Sequence, residues 1–321
     1  MTAYSPKVSV MIITYNQENL IAETIQSVLD QDYPNLEIVV ADDASTDGTA
    51  KVILEFQCKY PEIVKPVLNK KNLGITGNSN AAFFACTGEL IALLGGDDLF
   101  LPGKLSSQVE VFNDPAVVLS YHPVEIFNHH TNETIFITNS TKKEEIKDVY
   151  ELISKGGIPG ASSVMVRKSN CPAHGFHPAF PVVSDWIFCI EVAATGQVRE
   201  LAGVYGKYRK HGLGASDRTL ELLDESLRTL EIISKQYPED VRMQAACARG
   251  GQRYIAGELF RQVIKGDVAN VARLENYMLT YTKSSRYLFV KLVFVFLKNK
   301  IFLTVASVPL AHFKNFIKKR A

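Results

Sequence analysis

The stretch VSVMIITYN, residues 8–16, sets an apolar, β-branched run against an abrupt polar stop. So short a run predicts a buried strand, and Thr14-Tyr15-Asn16 predicts the loop that leaves it. Immediately downstream, Leu20, Ile21, Thr24, Ile25 and Val28 recur at helical spacing until Pro34 closes the unit. Residues 36–41 repeat the strand signal. Ser45 or Thr46 is then placed to cap a helix carrying Val52, Ile53 and Phe56, with Asp47 favourable in its first turn. Residues 64–68 make a third strand, 78–86 a small-residue helix and 90–94 a fourth strand. Pro102 marks the start of a fourth helix with Leu105, Val109 and Phe112. Four such βα units predict a parallel sheet with helices on both faces.

From Val117 the pattern changes. Residues 117–121, 124–128 and 134–138 read as short strands, with 129–133 as a hairpin loop whose tip leaves His129 and His130 in solvent. Residues 141–154 are charged and predict a helix, and 162–167 return as a strand. Residues 184–195 predict an amphipathic helix stopped by Gly196, and 198–208 a final strand region. Residues 217–283 are helical, with turns near Pro238 and Gly266.

Of the 321 residues, 46% are hydrophobic and 21% charged, which excludes a disordered or low-complexity chain. The net charge of +1 is unevenly spread: residues 276–321 hold nine Lys or Arg and no acid. Subtracting these from the 35 bases leaves 26 against 34 acids before residue 276, a net of −8. No basic groove interleaved with aromatic residues points to nucleic acid. Five scattered cysteines without a C-x-x-C predict reduced thiols rather than a disulfide framework. Residues 1–17 lack a basic leader and a cleavage site, so the body is expected to stay in the cytoplasm. Cys171, His174 and His177 are three apart, yet no fourth ligand follows at structural-zinc spacing; a loop bordering a pocket is the simpler reading.

In open α/β sheets, ligands bind beyond the carboxyl ends of the parallel strands. Here those ends carry Thr14-Tyr15-Asn16, Asp42-Asp43, residues 69–72 and Asp97-Asp98. Two carboxylate pairs aimed at one crevice need a cation or several hydrogen-bond donors to compensate them. Hard oxygen ligands select Mg²⁺ or Mn²⁺, ions that usually carry phosphates. The bland alternative makes these aspartates turn residues or caps. Neither G-x-x-x-x-G-K-[ST] nor G-x-G-x-x-G is present, which disfavours a P-loop kinase or a dinucleotide dehydrogenase.

The stretch at residues 8–16, ADDASTDG at 41–48, Asn72-Leu73-Gly74 with Asn80, GDDLFLP at 96–102, Ser184-Asp185-Trp186 and Tyr208-Arg209-Lys210-His211 together resemble family 2 glycosyltransferases. The resemblance runs in unbroken order over about residues 7–216. It implies a GT-A-like, Rossmann-related mixed α/β sheet flanked by helices, and inverting transfer of a sugar from a nucleoside-diphosphate donor, UDP-linked, to a hydroxyl of a glycan or lipid-linked acceptor. By position, Tyr15 and Asp43 would contact the base, with Thr14, Asn16 and Asn72 on the nucleotide side. Asp97 would reach the ribose and Asp98 would ligate the metal, Mn²⁺ or Mg²⁺. Asp185 would be the general base, and Arg209 and His211 would close on the diphosphate and acceptor. Gly95 stands where relatives often have the first Asp of D-x-D-D, and Ser184 where they often have Glu. A carboxylate of reference pKa about 4 is ionised at neutral pH, so it can take the acceptor's proton without tuning. Taken alone, Asp185 also reads as a helix N-cap.

The expected organisation is a catalytic domain at 1–216, a helical extension at 217–282 and a basic, apolar tail at 283–321. The apolar runs at 287–297 and 301–313 are too short to span a bilayer, which takes about 20 residues. They suit an amphipathic pair lying on an anionic membrane, with Lys314, Lys318, Lys319 and Arg320 among the headgroups; the alternative packs them on protein. The expected location is the inner face of the cell membrane. The competing functions are a nucleotidyltransferase, disfavoured because no Gly-rich basic loop follows the first strand, and a non-catalytic membrane scaffold.

Overall fold

A computed structural model of the chain describes residues 5–138, 145–156, 158–211, 219–282 and 287–299. The chain divides into two compact units, Met1–Val149 with Gly157–Gly214, and Tyr150–Gly156 with Ala215–Ala321.

The first unit opens with β1 (Val8–Thr14), α1 (Ile21–Leu29), β2 (Leu36–Asp42), α2 (Thr49–Lys59), β3 (Val64–Leu68), α3 (Gly74–Ala85) and β4 (Leu90–Gly95). Then come β5 (Leu99–Phe100), α4 (Lys104–Val111), β6 (Val117–Tyr121), β7 (Val124–Asn128) and β8 (Thr134–Ile137). After α5 (Val149–Lys155), most of which belongs to the second unit, follow β9 (Met165–Arg167), α6 (Ser184–Ala193), β10 (Gln197–Glu200) and β11 (Gly206–Lys210). A seven-stranded sheet has the order β10-β6-β9-β4-β1-β2-β3. Within it β1 pairs in parallel with β2 and β4, β2 with β3, and β6 with β10, while β9 runs antiparallel between β4 and β6. The expected parallel βα core is present, and β9 makes the sheet mixed. A second sheet, β5-β11-β7-β8, contains the expected hairpin as its β7-β8 pair, while its extension through β11 to β5 is not foretold by the strand patterns.

The core follows from the runs that predict the strands. Val8, Val10, Ile12, Ile38, Val40, Leu90, Ala92 and Leu94 are buried and pack with Ile21, Ile25 and Val28 of α1. Five local expectations change. Helix α2 starts after Gly48, not at Ser45 or Thr46, because Ser45 is drawn to Asp42 while Asp47 Oδ1 accepts from Thr49 N at 3.0 Å. Helix α3 begins at Gly74 rather than Asn78. Helix α6 is buried on nearly all sides rather than amphipathic. The 198–208 region is two strands in different sheets, β10 and β11. Of the helix expected over 141–154, residues 145–148 are not helical, α5 begins at Val149, and 141–144 lie outside the described residues.

Helix α4 buries Lys104 completely. Its ammonium donates to Gln108 Oε1 at 2.5 Å and stands 4.1 Å from the centre of the Phe100 ring. Burial pushes this lysine down to about 7. The unfolded chain therefore binds more protons than the native one between about pH 7 and the ordinary lysine range near 10.5. Lys104 should make stability rise with pH across that window. Lys104→Met is expected to flatten that rise relative to the wild type, as followed by denaturant midpoints at pH 7, 8 and 9. Parallel curves for the two proteins would refute the assignment.

The second unit contains residues 150–155 of α5, then α7 (Thr219–Gln236), α8 (Val241–Lys265), α9 (Val268–Thr280) and α10 (Tyr287–Leu297). The turns fall near Pro238 and Gly266 as the sequence predicts. Asp240 caps α8 by accepting from Met243 N at 3.0 Å, and Asp267 caps α9 by accepting from Asn270 N at 3.0 Å. Gly266 ends α8 at φ +69, a backbone state suited to glycine. Phe294 of α10 is buried, whereas Leu288, Phe289, Leu292, Val295 and Phe296 are exposed. Lys298 Nζ reaches Glu275 Oε2 of α9 at 2.6 Å.

Candidate active site

The sheet register brings the strand ends level, pairing Thr14 with Asp42 and Ile13 with Gly95. Glycine at 96 permits the close nesting of the first and fourth loops, since a Cβ there would come within 2.4 Å of Gln17 Oε1 and 2.7 Å of Thr14 Cβ. Thr14 is buried and its hydroxyl donates to Gln17 Oε1 at 2.7 Å. Asn16, at φ 52, fastens the loop: its N–H donates to Ser45 Oγ at 2.8 Å and its Oδ1 accepts from Thr46 N at 2.8 Å. Tyr15 stands out between them, 47% exposed.

The first carboxylate pair separates into two jobs. Asp42 closes a turn by accepting from Ser45 N at 3.1 Å. Asp43 is buried and holds the start of α3: Oδ1 accepts from Leu73 N at 2.7 Å and Oδ2 from Gly74 N at 2.9 Å. Its Oδ1 also meets Asn69 Nδ2 at 3.3 Å. Amide donors, not a cation, thus compensate this pair, and the turn-and-cap alternative describes these bonds. Asn72 Oδ1 accepts from Gly74 N at 3.1 Å, so this side chain belongs to the same turn.

The second pair is built differently. Asp98 is buried and its Oδ1 accepts from Arg209 N at 3.0 Å. Burial first, and then the charge of Asp97, pushes the Asp98 carboxyl well above the usual carboxylate range, against the pull of Arg209. Asp97 Oδ2 meets His211 Nε2 at 2.8 Å. The Arg209 side chain is engaged on every branch: Nε donates to Asp97 O at 2.7 Å, Nη2 to Glu23 Oε2 at 2.6 Å and Nη1 to His129 Nδ1 at 3.3 Å. Its guanidinium also lies 4.8 Å from the Phe127 ring centre. Because arginine only donates, His129 must present a lone pair at Nδ1. His129 is therefore bonded at the site's edge rather than merely solvated. Glu23 and His129 were not legible as site residues. Glu23 lies 186 residues from Arg209 and its place on α1 reads as an ordinary exposed acid.

A divalent cation can be tested against this geometry. Gly95 leaves open the space that a side chain would fill, and a Cβ there would stand 3.0 Å from Asp97 Oδ1 and 3.6 Å from Asp98 Oδ2. Two hard oxygens converge on one gap, and the buried Asp98 favours its neutral form unless positive charge arrives. Among the described residues, no group of three or more His, Cys, Asp or Glu is arranged to hold an ion. The fit is thus to an ion bound by one or two carboxylates, with its other ligands from phosphate and water.

Asp185 lies in the first turn of α6 and is exposed, while Ser184 and Trp186 on either side are buried. The N-cap position is Val183, so Asp185 is not the cap. The preceding segment is bound to α3. The Thr76 hydroxyl contacts Phe180 O and Ser184 Oγ, and Asn80 pairs with the backbone of Phe176. In the same segment His174 Nε2 faces Glu191 Oε1 at 3.4 Å.

A mixed α/β sheet with polar strand ends and a carboxylate pair beyond β4 has the arrangement of the GT-A fold. The model for glycosyl transferase family 2 matches residues 9–170, and the chain belongs to that family. An uncharacterized glycosyltransferase of Nostoc is 32% identical over 250 residues, covering 73% of this chain and 75% of its own. The Escherichia coli UDP-Glc:alpha-D-GlcNAc-diphosphoundecaprenol beta-1,3-glucosyltransferase WfgD is 34% identical over 124 residues, 39% of this chain and 48% of its own. The chain spans 59% of the length of an uncharacterized Mycobacterium tuberculosis relative that is 32% identical over 211 residues, 64% of this chain. Staphylococcus aureus TarS 1–349 in complex with UDP superposes with a TM-score of 0.64 at 14% identity, covering 95% of this chain and 91% of that one. The Pyrobaculum calidifontis mannosyltransferase in complex with GDP-Man and Mn²⁺ gives 0.57 at 16% identity, with 95% and 88% covered. Both structures share the fold.

Proposed function

We propose that this protein transfers a sugar from a nucleoside-diphosphate donor, UDP-linked, to a hydroxyl of a glycan or lipid-linked acceptor, with inversion and with help from a divalent metal. The observation that carries the reading is the Asp97-Asp98 pair facing the gap at Gly95. Tyr15 offers an exposed ring for the base, and the loops fastened by Thr14, Asn16, Asp43 and Asn72 shape that side. Asp97, oriented by His211, reaches the ribose, and Asp98 would hold the metal. When bound, Mn²⁺ or Mg²⁺ would offset the charge gained by the leaving diphosphate. Arg209 keeps both aspartates in place, since its own donors are taken up by Asp97, Glu23 and His129. Asp185, at the exposed start of α6, accepts the acceptor's proton as the hydroxyl attacks. The E. coli relative is named as acting on a diphosphoundecaprenol-linked acceptor, which supports a lipid-linked glycan here. A panel of nucleotide sugars offered with and without Mn²⁺ tests the reading. Metal-stimulated release of nucleoside diphosphate supports it, pyrophosphate chemistry indicates a nucleotidyltransferase, and no turnover indicates a scaffold.

The basic tail is the proposed contact with the membrane's inner face. No described helix is long and apolar enough to cross a membrane. Helix α10 nevertheless exposes Leu288, Phe289, Leu292, Val295 and Phe296, and no acid occurs in residues 276–321. The second apolar run, with Lys314, Lys318, Lys319 and Arg320, lies outside the described residues. Each base near an anionic surface contributes about 1 kcal/mol, and the apolar side chains add more. Deleting residues 283–321 is expected to release the protein from anionic liposomes, and high salt should weaken binding of the full chain. Equal co-sedimentation of both forms would remove the anchor.

A further inference from the structure

Helix α3 touches both halves of the proposed site. At its start, Leu73 N and Gly74 N are held by Asp43. One turn on, Asn78 Nδ2 donates to Ala41 O at 3.0 Å and to Thr14 O at 3.3 Å, tying the helix to the ends of β1 and β2. The same stretch then carries Thr76 and Asn80 towards the segment that leads into Asp185. The buried Thr76 hydroxyl donates to Phe180 O and stands 2.8 Å from Ser184 Oγ, beside the aspartate. Asn80 grips Phe176 at two points: Nδ2 donates to its carbonyl at 2.8 Å and Oδ1 accepts from its N–H at 2.7 Å. Two opposed bonds from one planar amide fix a peptide much as a neighbouring strand would.

Packing closes the same joint. The Phe176 ring stacks on Phe188 of α6, centroids 4.3 Å apart and planes 10° apart, and meets Phe83 of α3 edge-on at 6.1 Å. Gly175 allows the approach: it sits at φ +69, and a Cβ there would come within 2.3 Å of Asn80 Oδ1. Ser184 also gains a reason. Its position is buried at 2% exposure and its hydroxyl is matched to Thr76, an arrangement that suits a small side chain.

We infer that α3 is a strut that sets Asp185 relative to the bound donor, and that Thr76 and Asn80 are positioning residues for the general base. The inference rests on Asp185 having that role. Its physical content is geometric: a reacting group displaced by about 1 Å costs on the order of 10²-fold in rate without loss of binding.

The test uses Thr76→Val, which keeps the shape and removes the hydroxyl, with Thr76→Ser as the conservative control and Asn80→Ser as an independent cut. Three readouts are taken on the full chain: UDP affinity by calorimetry, kcat and donor KM for transfer, and hydrogen exchange of the amides in residues 176–187. Thr76→Val and Asn80→Ser are expected to lower kcat by about 10- to 100-fold with donor KM and UDP affinity within about 2-fold. Exchange in 176–187 should quicken, and Thr76→Ser should recover most of the rate. Normal kcat in both cut variants overturns the strut, as does a loss of UDP affinity that matches the loss of rate. If the wild-type protein turns over no donor, the proposed function falls. The strut is then judged on exchange alone, and unchanged exchange with UDP binding intact overturns it. If Thr76→Val does not fold, Asn80→Ser, at a half-buried position, decides the matter by the same criteria.

Discussion

Asp185→Asn is expected to reduce sugar transfer by about 10²-fold or more while leaving donor binding near that of the wild type. The amide has nearly the same shape and can still accept a hydrogen bond, but it cannot take a proton from the attacking hydroxyl. Asp185 is exposed at the first turn of α6, and its neighbours Ser184 and Trp186 are the residues that pack. The substitution should therefore leave melting behaviour intact, which separates chemistry from folding. Donor affinity by calorimetry and single-turnover rates on the same preparation make the comparison. A collapse of donor affinity would make Asp185 a binding group and move the base elsewhere.

Asp98→Ala should abolish the metal-stimulated part of the activity. The lost carboxylate faces the gap beside Gly95, and it is also the acceptor for Arg209 N. Its removal takes away the proposed metal ligand and leaves a buried amide without its partner, at a cost of about 1–3 kcal/mol. Asp98→Asn serves as the companion, since its side-chain oxygen can still accept from Arg209 N while metal affinity falls. Activity of the asparagine variant that stays near wild type and keeps its response to Mn²⁺ would refute the metal assignment.

The parallel core was legible because fully buried strands advertise themselves as continuous apolar runs. Residues 8–13 and 90–94 needed no other information. The levels of Asp43 and Asp98 followed at once, since strand ends in such a sheet share an edge. What Asp43 does there did not follow, because an aspartate reads alike whether it meets a ligand or the amides of α3. The β7-β8 hairpin of the second sheet was legible, but its pairing through β11 to β5 was not. Strand β11 pairs with β5 and β7, partners about a hundred residues away, and its residues GKYRK carry little apolar signal. Only the resemblance suggested a diphosphate-side role for Arg209, and nothing local reveals that Glu23 and His129 occupy its donors. His129 was misread for the same reason: a hairpin tip looks solvated until the strand beside it presents a guanidinium.

Gly95 has a consequence for the protein between turnovers. An aspartate there would put a third negative charge beside Asp97 and Asp98, and an empty pocket would have to bear the repulsion alone. With glycine, Arg209 and His211 have Asp97, Asp98 and Glu23 around them and no fourth carboxylate, and Asp98 can stay protonated. On the proposed metal role, such a pocket can stand without the ion. If the proposed metal dependence holds, thorough dialysis against a chelator should silence the enzyme while leaving its melting temperature nearly unmoved.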